Sequence, residues 1–171
     1  PSLICIPTTA GTGAETESSA MVTDTNLLMK WCIAHPQQKP LEVILDPELT
    51  IGLPKNLTAW TGIDALVHAI EAYVVNDFHP LCDGAAVEAL RLIYPNLPIV
   101  YEKGEDLTGR GKMLVGSCLA GISFLKGLGF VHAISHMVGA EYDTQHGLTN
   151  AVVLPSVLQF NREVMSAKIP I

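Results

Sequence analysis

Two stretches of this chain place ionisable side chains at helical spacing inside apolar sequence, and that constrains the fold more than any other feature. GIDALVHAIEAYV sets Asp64 and His68 four residues apart, and VHAISHMVGAEYDTQHG sets His132 and His136 four apart, with His146 ten residues on and next to Gly147. Residues four apart share one face of an α-helix. Ile63, Val67, Ile70 and Val74 recur at the same period around the first pair. Alone, a D-x-x-x-H or H-x-x-x-H pair is more often a capped or paired core group than a ligand set. Together, in helices this poor in other charge, they argue for facing helices that share a cation, because burying so many ionisable groups unpartnered is costly.

Asp64, His68, His132 and His146 offer one oxygen and three nitrogens. That set suits Fe²⁺ or Zn²⁺ and is too rich in nitrogen for Mg²⁺ or Ca²⁺. An ion held there, with room for one more oxygen, acts as a Lewis acid on an alcohol or carbonyl. His136 fits two roles: a fifth ligand on the same face, or a proton-relay histidine bonded to substrate or cofactor hydroxyls. Hydrolysis assisted by the metal would need a general base, with Glu71 or Glu141 as candidates. His35 and His79 each precede a proline and read as solvated loop histidines.

The chain has 171 residues, 49% of them hydrophobic and 16% charged, with mean hydropathy +0.33. This is enough for a real core and excludes general disorder. The formal net charge is −7, without a Lys/Arg cluster, so nucleic acid is excluded as a natural partner. No apolar run reaches membrane-spanning length, and no signal peptide is visible. Cys5, Cys32, Cys82 and Cys118 are scattered without a CxxC pair, which suggests reduced thiols and a cytoplasmic protein. The chain opens as PSLICIP, inside a strand-like run and without Met, and ends in KIPI. The expectation is a piece of a longer protein or a truncated form.

The elements predicted are mainly α with a small β portion. Ser2 to Pro7 reads as a buried strand, followed by a Thr/Gly turn from Thr8 to Glu15. Ser18–Asp24 and Lys30–Ala34 read as a hairpin, and Leu41–Leu45 as a further strand stopped by Asp46-Pro47. From Leu53-Pro54 the pattern turns helical. Thr58 or Thr61 is expected to cap the Asp64 helix. Ala85–Ile93 reads as a helix ended or kinked by Pro95 and Pro98, Gly104–Gly109 as a loop, and Lys112–Leu125 as a central helix. Helices are expected at Val131–Tyr142 and at Leu148–Phe160, the latter interrupted at Pro155. The turn TTAGTGAE offers backbone N–H groups and Thr hydroxyls to a phosphate or a nicotinamide ribose. It lacks the G-x-G-x-x-G fingerprint, and a plain turn explains it equally well.

PTTAGTGAETESSAMVTD, DPELT, LTAWTGIDALVHAIEAYV and GLGFVHAISHMVGAEYDTQHGLTNAVVLP together resemble the iron-containing (group III) alcohol dehydrogenases over nearly the whole chain. The resemblance implies the remnant of an α/β dinucleotide domain (residues 1–53) followed by an all-helical metal-binding domain (54–171), with the site in the cleft between them. It implies NAD(P)-dependent interconversion of alcohols and aldehydes or ketones, with Fe²⁺ or Zn²⁺ on Asp64, His68, His132 and His146. By motif, Thr8 and Thr9 would lie near the nicotinamide, with Thr12 and Lys30 as further cofactor contacts and Pro47 to Ile51 on the adenosine side. His136 would act beside substrate and cofactor. The family's GGGS pyrophosphate loop does not occur in this sequence, and Met137 stands where the family usually has proline. The alternative is a helical metal-binding module without dinucleotide binding or dehydrogenase activity. A homo-oligomer is expected, because a truncated α/β edge exposes strand and apolar surface.

Overall fold

The computed structural model describes residues 3–166 and 168. Five helices carry most of the chain: α1 (Lys55–Val74), α2 (Pro80–Glu102), α3 (Leu107–Ser123), α4 (Phe130–Tyr142) and α5 (His146–Met165). Before them come four short strands, β1 (Ile4–Cys5), β2 (Ser19–Asp24), β3 (Met29–Ala34) and β4 (Glu42–Val43). The chain is therefore mainly helical with a small β portion, as its patterning predicts. Among the described residues, no single helix is long and apolar enough to cross a membrane.

α1 is buried on several faces because it packs against α2, α3 and α5 at once. Its Ala65 and Ala69 join Ala89, Ile93 and Leu97 of α2 and Met113 and Leu114 of α3 in one cluster. A second cluster, Val67 with Val131 and Val157, ties α1 to α4 and α5. Each fully buried large side chain, such as Ile93 or Leu114, contributes roughly 1.5–3 kcal/mol.

The strands are shorter than expected. β1 and β4 pair in parallel over two residues, Ile4 with Glu42 and Cys5 with Val43, flanked by backbone bonds from Leu41 N–H to the Leu3 carbonyl (2.8 Å) and from Ile44 N–H to the Cys5 carbonyl (3.0 Å). Ser2, read as the start of β1, lies outside the described residues. The hairpin matches its prediction within a residue, running antiparallel from Ser19↔Ala34 to Asp24↔Met29. Its turn is held by Asp24 Oδ1, which accepts from the backbone N–H groups of Asn26 (2.9 Å) and Leu27 (3.1 Å). The Thr/Gly segment bends through a left-handed Gly13 (φ 64°) into a short 3-10 turn, Ala14–Thr16, a backbone shape glycine adopts without strain.

Four local expectations are corrected. Thr58 and Thr61 do not cap α1, which starts three residues earlier after Pro54. Instead Thr58 Oγ1 accepts from the buried Arg110 guanidinium at 3.0 Å, and Thr61 Oγ1 bonds the Leu57 carbonyl. Pro95 and Pro98 do not end α2, and Pro155 does not interrupt α5. All three prolines are exposed, as are Arg91 and Tyr94, whose carbonyls Pro95 and Pro98 leave unpaired in α2. Meanwhile the apolar stripe Ala86, Ala89, Ile93, Leu97, Val100 runs on past both α2 prolines. α3 begins inside the expected loop, because Asp106 Oδ1 caps it by accepting from Gly109 N–H. His35 and His79 are exposed, as read, but also act as caps: Nδ1 of His79 accepts from Cys82 N–H at the start of α2, and Nδ1 of His35 from Gln37 N–H.

Candidate metal centre

Three helices bring the ionisable residues together. Asp64, His68 and Glu71 follow one another along one face of α1 and are all buried. His132 is buried in the first turn of α4. α4 ends at Tyr142, Asp143 takes a left-handed conformation (φ 52°), and α5 restarts at His146. Gln145 caps α5, its Oε1 accepting from Leu148 N–H at 2.6 Å. Gly147 lets α5 dock directly on α1: a Cβ there would overlap the carbonyl oxygen of Trp60 and touch Asp64 Cβ at 3.4 Å. α5 thus starts at His146 itself, which sets that residue beside Asp64.

Asp64 Oδ1 is the hub. It lies 3.5 Å from His132 Nε2, 3.5 Å from His146 Nε2 and 3.7 Å from His68 Nε2. A tetrahedral ion with bonds of about 2.1 Å needs donor–donor edges of roughly 3.4 Å, which the three Asp64–imidazole distances approach. The donor atoms of Asp64, His132 and His146 all fall within 4.8 Å of one another. His68 adds its Nε2 from the Asp64 side, with its ring stacked on His132 (centroids 4.4 Å apart, 16° between planes) and Phe124 packed against it.

The electrostatics suit a positive guest. Burial disfavours the charged form of Asp64, but His68, His132 and His146 outweigh it and bring its carboxyl down to about 2. Burial pushes His68 down to about 4 and also lowers His146. Both imidazoles are therefore neutral near pH 7, with lone pairs free to ligate. Burial also weighs against a proton on His132, but hydrogen bonds to Asp64 and Glu71 dominate and raise its pKa.

Two further members had no signal in the spacing of the four donors. Glu71 Oε2 lies 2.7 Å from His132 Nδ1, and Oε1 accepts from Val131 N–H at 2.7 Å. With its oxygens so engaged, and Glu141 exposed on α4, neither acid stands as the base that the hydrolytic reading required. Asn150, fully buried on α5, points its Nδ2 at Asp64 Oδ1 (2.7 Å), His146 Nε2 (3.3 Å) and His132 Nε2 (3.4 Å). Its position four residues after His146 was the available clue.

The cluster forms the floor of a cleft of about 860 Å³ between the helices and the hairpin. Thr12, Lys30, Phe124, Leu128 and His136 line it with the four donors. His136 is half-buried, its ring 5.1 Å from that of His146 and 6.0 Å from that of His132. Like His68, whose Nε2 is nonetheless 3.7 Å from Asp64 Oδ1, it stands outside the group of donors that converge within 4.8 Å. Burial, and then His146, His132 and Lys30, push its pKa down to about 4. Thr8 and Thr9 sit on the bend after β1 and do not line this cleft. Pro47–Thr50 forms a 3-10 turn against α3, also off the cleft.

Residues 58–170 match the family described as Fe-containing alcohol dehydrogenase family, C-terminal, and residues 1–47 match iron-containing alcohol dehydrogenase. A probable alcohol dehydrogenase EutG of Escherichia coli (strain K12) is 47% identical over 163 residues, covering 95% of this chain and 41% of that protein. An NAD-dependent methanol dehydrogenase of Bacillus methanolicus is 44% identical over 160 residues, covering 93% of this chain and 42% of that protein. A crystal structure of 1,3-propanediol oxidoreductase superposes with a TM-score of 0.90 at 43% identity, over 94% of this chain and 42% of that one. The chain thus spans about two fifths of the length of the relatives it matches.

Proposed function

The chain belongs to the iron-containing alcohol dehydrogenase family, and we propose that it carries the metal centre of an enzyme that interconverts small alcohols and aldehydes or ketones with NAD or NADP. Residues 1–53 are assigned to the C-terminal part of a dinucleotide-binding α/β domain and residues 54–171 to the helical metal-binding domain. The observation that carries this is the spacing of three imidazole nitrogens, each 3.5–3.7 Å from one buried carboxylate oxygen.

The donor chemistry fits the family's ion. One carboxylate and three neutral-capable imidazoles suit Fe²⁺ or Zn²⁺, and Asp64, His68, His132 and His146 would hold it. Such an ion would supply Lewis acidity to a substrate oxygen, and a bound nicotinamide would supply hydride chemistry. The remaining work falls to the chain's own side chains. His136, neutral near pH 7, takes the proton released from the substrate hydroxyl at a ring nitrogen and returns it in the reverse direction. Phe124 and Leu128 add apolar wall beside the cluster, which strengthens the charge interactions next to it. Lys30 and Thr12, on the cleft wall, offer a cation and a hydroxyl to the cofactor. Thr8 and Thr9, on the bend after β1, are kept as nicotinamide contacts by the family resemblance alone. The substrate is a small-molecule alcohol or aldehyde, and the scattered free thiols accord with a cytoplasmic setting. Met21, Val22, Trp31 and Ile33 are exposed on the hairpin, which favours a homo-oligomer.

The test is NAD(P)-linked alcohol oxidation, measured with and without chelator, beside metal analysis of the purified chain. Chelator-sensitive turnover with one ion per chain is expected, and turnover indifferent to metal overturns the reading. Micromolar binding of NAD(H) or NADP(H) is expected as well; metal uptake without any dinucleotide binding would instead fit a metal-binding module that takes no cofactor.

A further inference from the structure

The amide N–H groups that open an α-helix have no partner within the helix and need an acceptor. α4 has Gly129 at the position before its first residue, and Gly129 has no side chain to serve. The acceptor comes from another helix. Glu71 of α1 is 60 residues away in sequence, yet its Oε1 accepts from Val131 N–H at 2.7 Å and its Oε2 from His132 N–H at 3.4 Å. A carboxylate there also meets the positive end of the α4 dipole. The same Oε2 lies 2.7 Å from His132 Nδ1. A carboxylate in that position makes Nδ1 the protonated nitrogen, which leaves the Nε2 lone pair facing Asp64, 3.5 Å away.

Space for this arrangement is reserved at one residue. A Cβ on Gly129 would stand 2.7 Å from Glu71 Oε1 and 3.2 Å from its Cδ. Any ordinary capping residue, Ser or Asp, would satisfy the α4 amides locally but push Glu71 off His132. Glycine at 129 thus forgoes a local cap so that a remote carboxylate can bond the helix end and the imidazole together.

We infer that Glu71 is a positioning residue that couples the N-terminus of α4 to the metal centre, fixing the tautomer and ring orientation of His132, and that Gly129 is the space it requires. This rests on the proposed metal-binding role of His132. It makes Gly129, which touches none of the four donors, a determinant of cation affinity.

The test is the affinity of the full chain for Co²⁺ and Zn²⁺, measured by competition with a chromophoric chelator, beside thermal melting in excess EDTA. In Glu71→Gln the amide oxygen can still accept from Val131 N–H. Its NH₂ then faces His132 Nδ1, which drives the ring proton to Nε2, where the cation must bind. Affinity is expected to fall about 10–100-fold in a folded protein. Gly129→Ala, which displaces the native carboxylate instead of replacing it, is expected to weaken affinity in the same direction and carries the test if Glu71→Gln fails to fold. A folded Glu71→Gln or Gly129→Ala that binds cation within twofold of wild type overturns the inference, as does lowered melting with affinity unchanged, which would leave Glu71 a helix cap alone. If the wild-type chain takes up neither cation, it is the metal-site reading that fails, and this inference falls with it.

Discussion

Asn150 donates its amide N–H to Asp64 Oδ1 at 2.7 Å across 86 residues of sequence, joining α5 to α1 inside the cluster of imidazoles. The carboxylate oxygen has lone pairs enough to accept this bond and still ligate a cation. Each imidazole Nε2 has one, and cannot accept from Asn150 and bind an ion together. The persistent bond is therefore Asn150 to Asp64, and its effect is to hold the hub oxygen in place.

Asn150→Ala is expected to cost about 1–3 kcal/mol of stability, because it leaves a buried carboxylate without its donor, and to weaken cation binding. Asn150→Asp should separate the two effects. A second buried carboxylate repels Asp64 and destabilises the chelated protein more than the alanine does, while cation affinity recovers or exceeds wild type. Urea unfolding in EDTA and metal competition read the two quantities. An Asn150→Asp protein that is more stable than wild type without metal contradicts the assignment.

Asp64→Ala removes the atom common to all three short donor contacts and is expected to weaken Co²⁺ or Zn²⁺ binding by about two orders of magnitude or more, beyond the effect of losing an outer partner. His146→Ala, at a partly exposed position on the rim, should weaken it less. Equal losses, read by chelator competition, would mean that Asp64 is not the hub.

Much of this centre was legible in the sequence, because its signal is local. Four-residue spacing puts Asp64 and His68 on one face whatever the fold, and apolar surroundings force both inward. The roles of Glu71 and Asn150 were not legible, for the opposite reason: spacing from His68 and His146 puts them near the cluster without saying what they bond. A buried glutamate on an apolar helix and an asparagine inside α5 acquire their roles only from residues 60 and 86 positions away. The prolines of α2 misled because proline tells of a lost N–H, and not of whether the freed carbonyl belongs to an exposed residue, as Arg91 and Tyr94 are. The hairpin was readable through its alternation and turn. The length of the β1–β4 ladder was not, since it depends on how many neighbours each strand finds.

Gly147→Ala should be among the most damaging single-methyl additions. The new carbon overlaps the Trp60 carbonyl, so α5 must move away from α1 and take His146 and Asn150 with it. Overpacking of this kind costs about 1–3 kcal/mol or more. A fall in both melting temperature and cation affinity is expected, and affinity at wild-type level would show that the α1–α5 contact does not place His146.

The metal-free chain should weaken in acid. His68 has a pKa of about 4 in the fold against the usual 6.5, chiefly through burial, so the unfolded chain takes its proton first. Its contribution is complete above pH 6.5 and is lost as pH falls from 6.5 towards 4, on the order of 3 kcal/mol in all. His146 and the half-exposed His136 shift the same way and add less, because solvent screens them. His132 runs opposite: raised by its carboxylate partners, it stabilises fully below 6.5 and loses that contribution as pH rises through its folded value. Asp64, at about 2, begins to lose its contribution only as pH falls below its unfolded value near 3.8. Three lowered imidazoles against one raised give a net fall in the urea midpoint between pH 6.5 and 4.5 in EDTA. A midpoint that rises on acidification contradicts this balance.

His136 offers the cleanest separation of binding from chemistry. It lines the cleft yet stands outside the convergent donors, and its low pKa keeps it unprotonated, with a ring nitrogen open to a proton, across the neutral range. If it were a fifth ligand, His136→Gln would lower cation affinity. As a proton carrier, it should leave the dissociation constant within about twofold while alcohol oxidation slows by about 10²–10⁴. The residual rate should climb with pH as hydroxide takes over the proton. Chelator competition and a pH–rate profile on the same preparation decide between the two roles, and a parallel loss of metal and rate would return His136 to the ligand set.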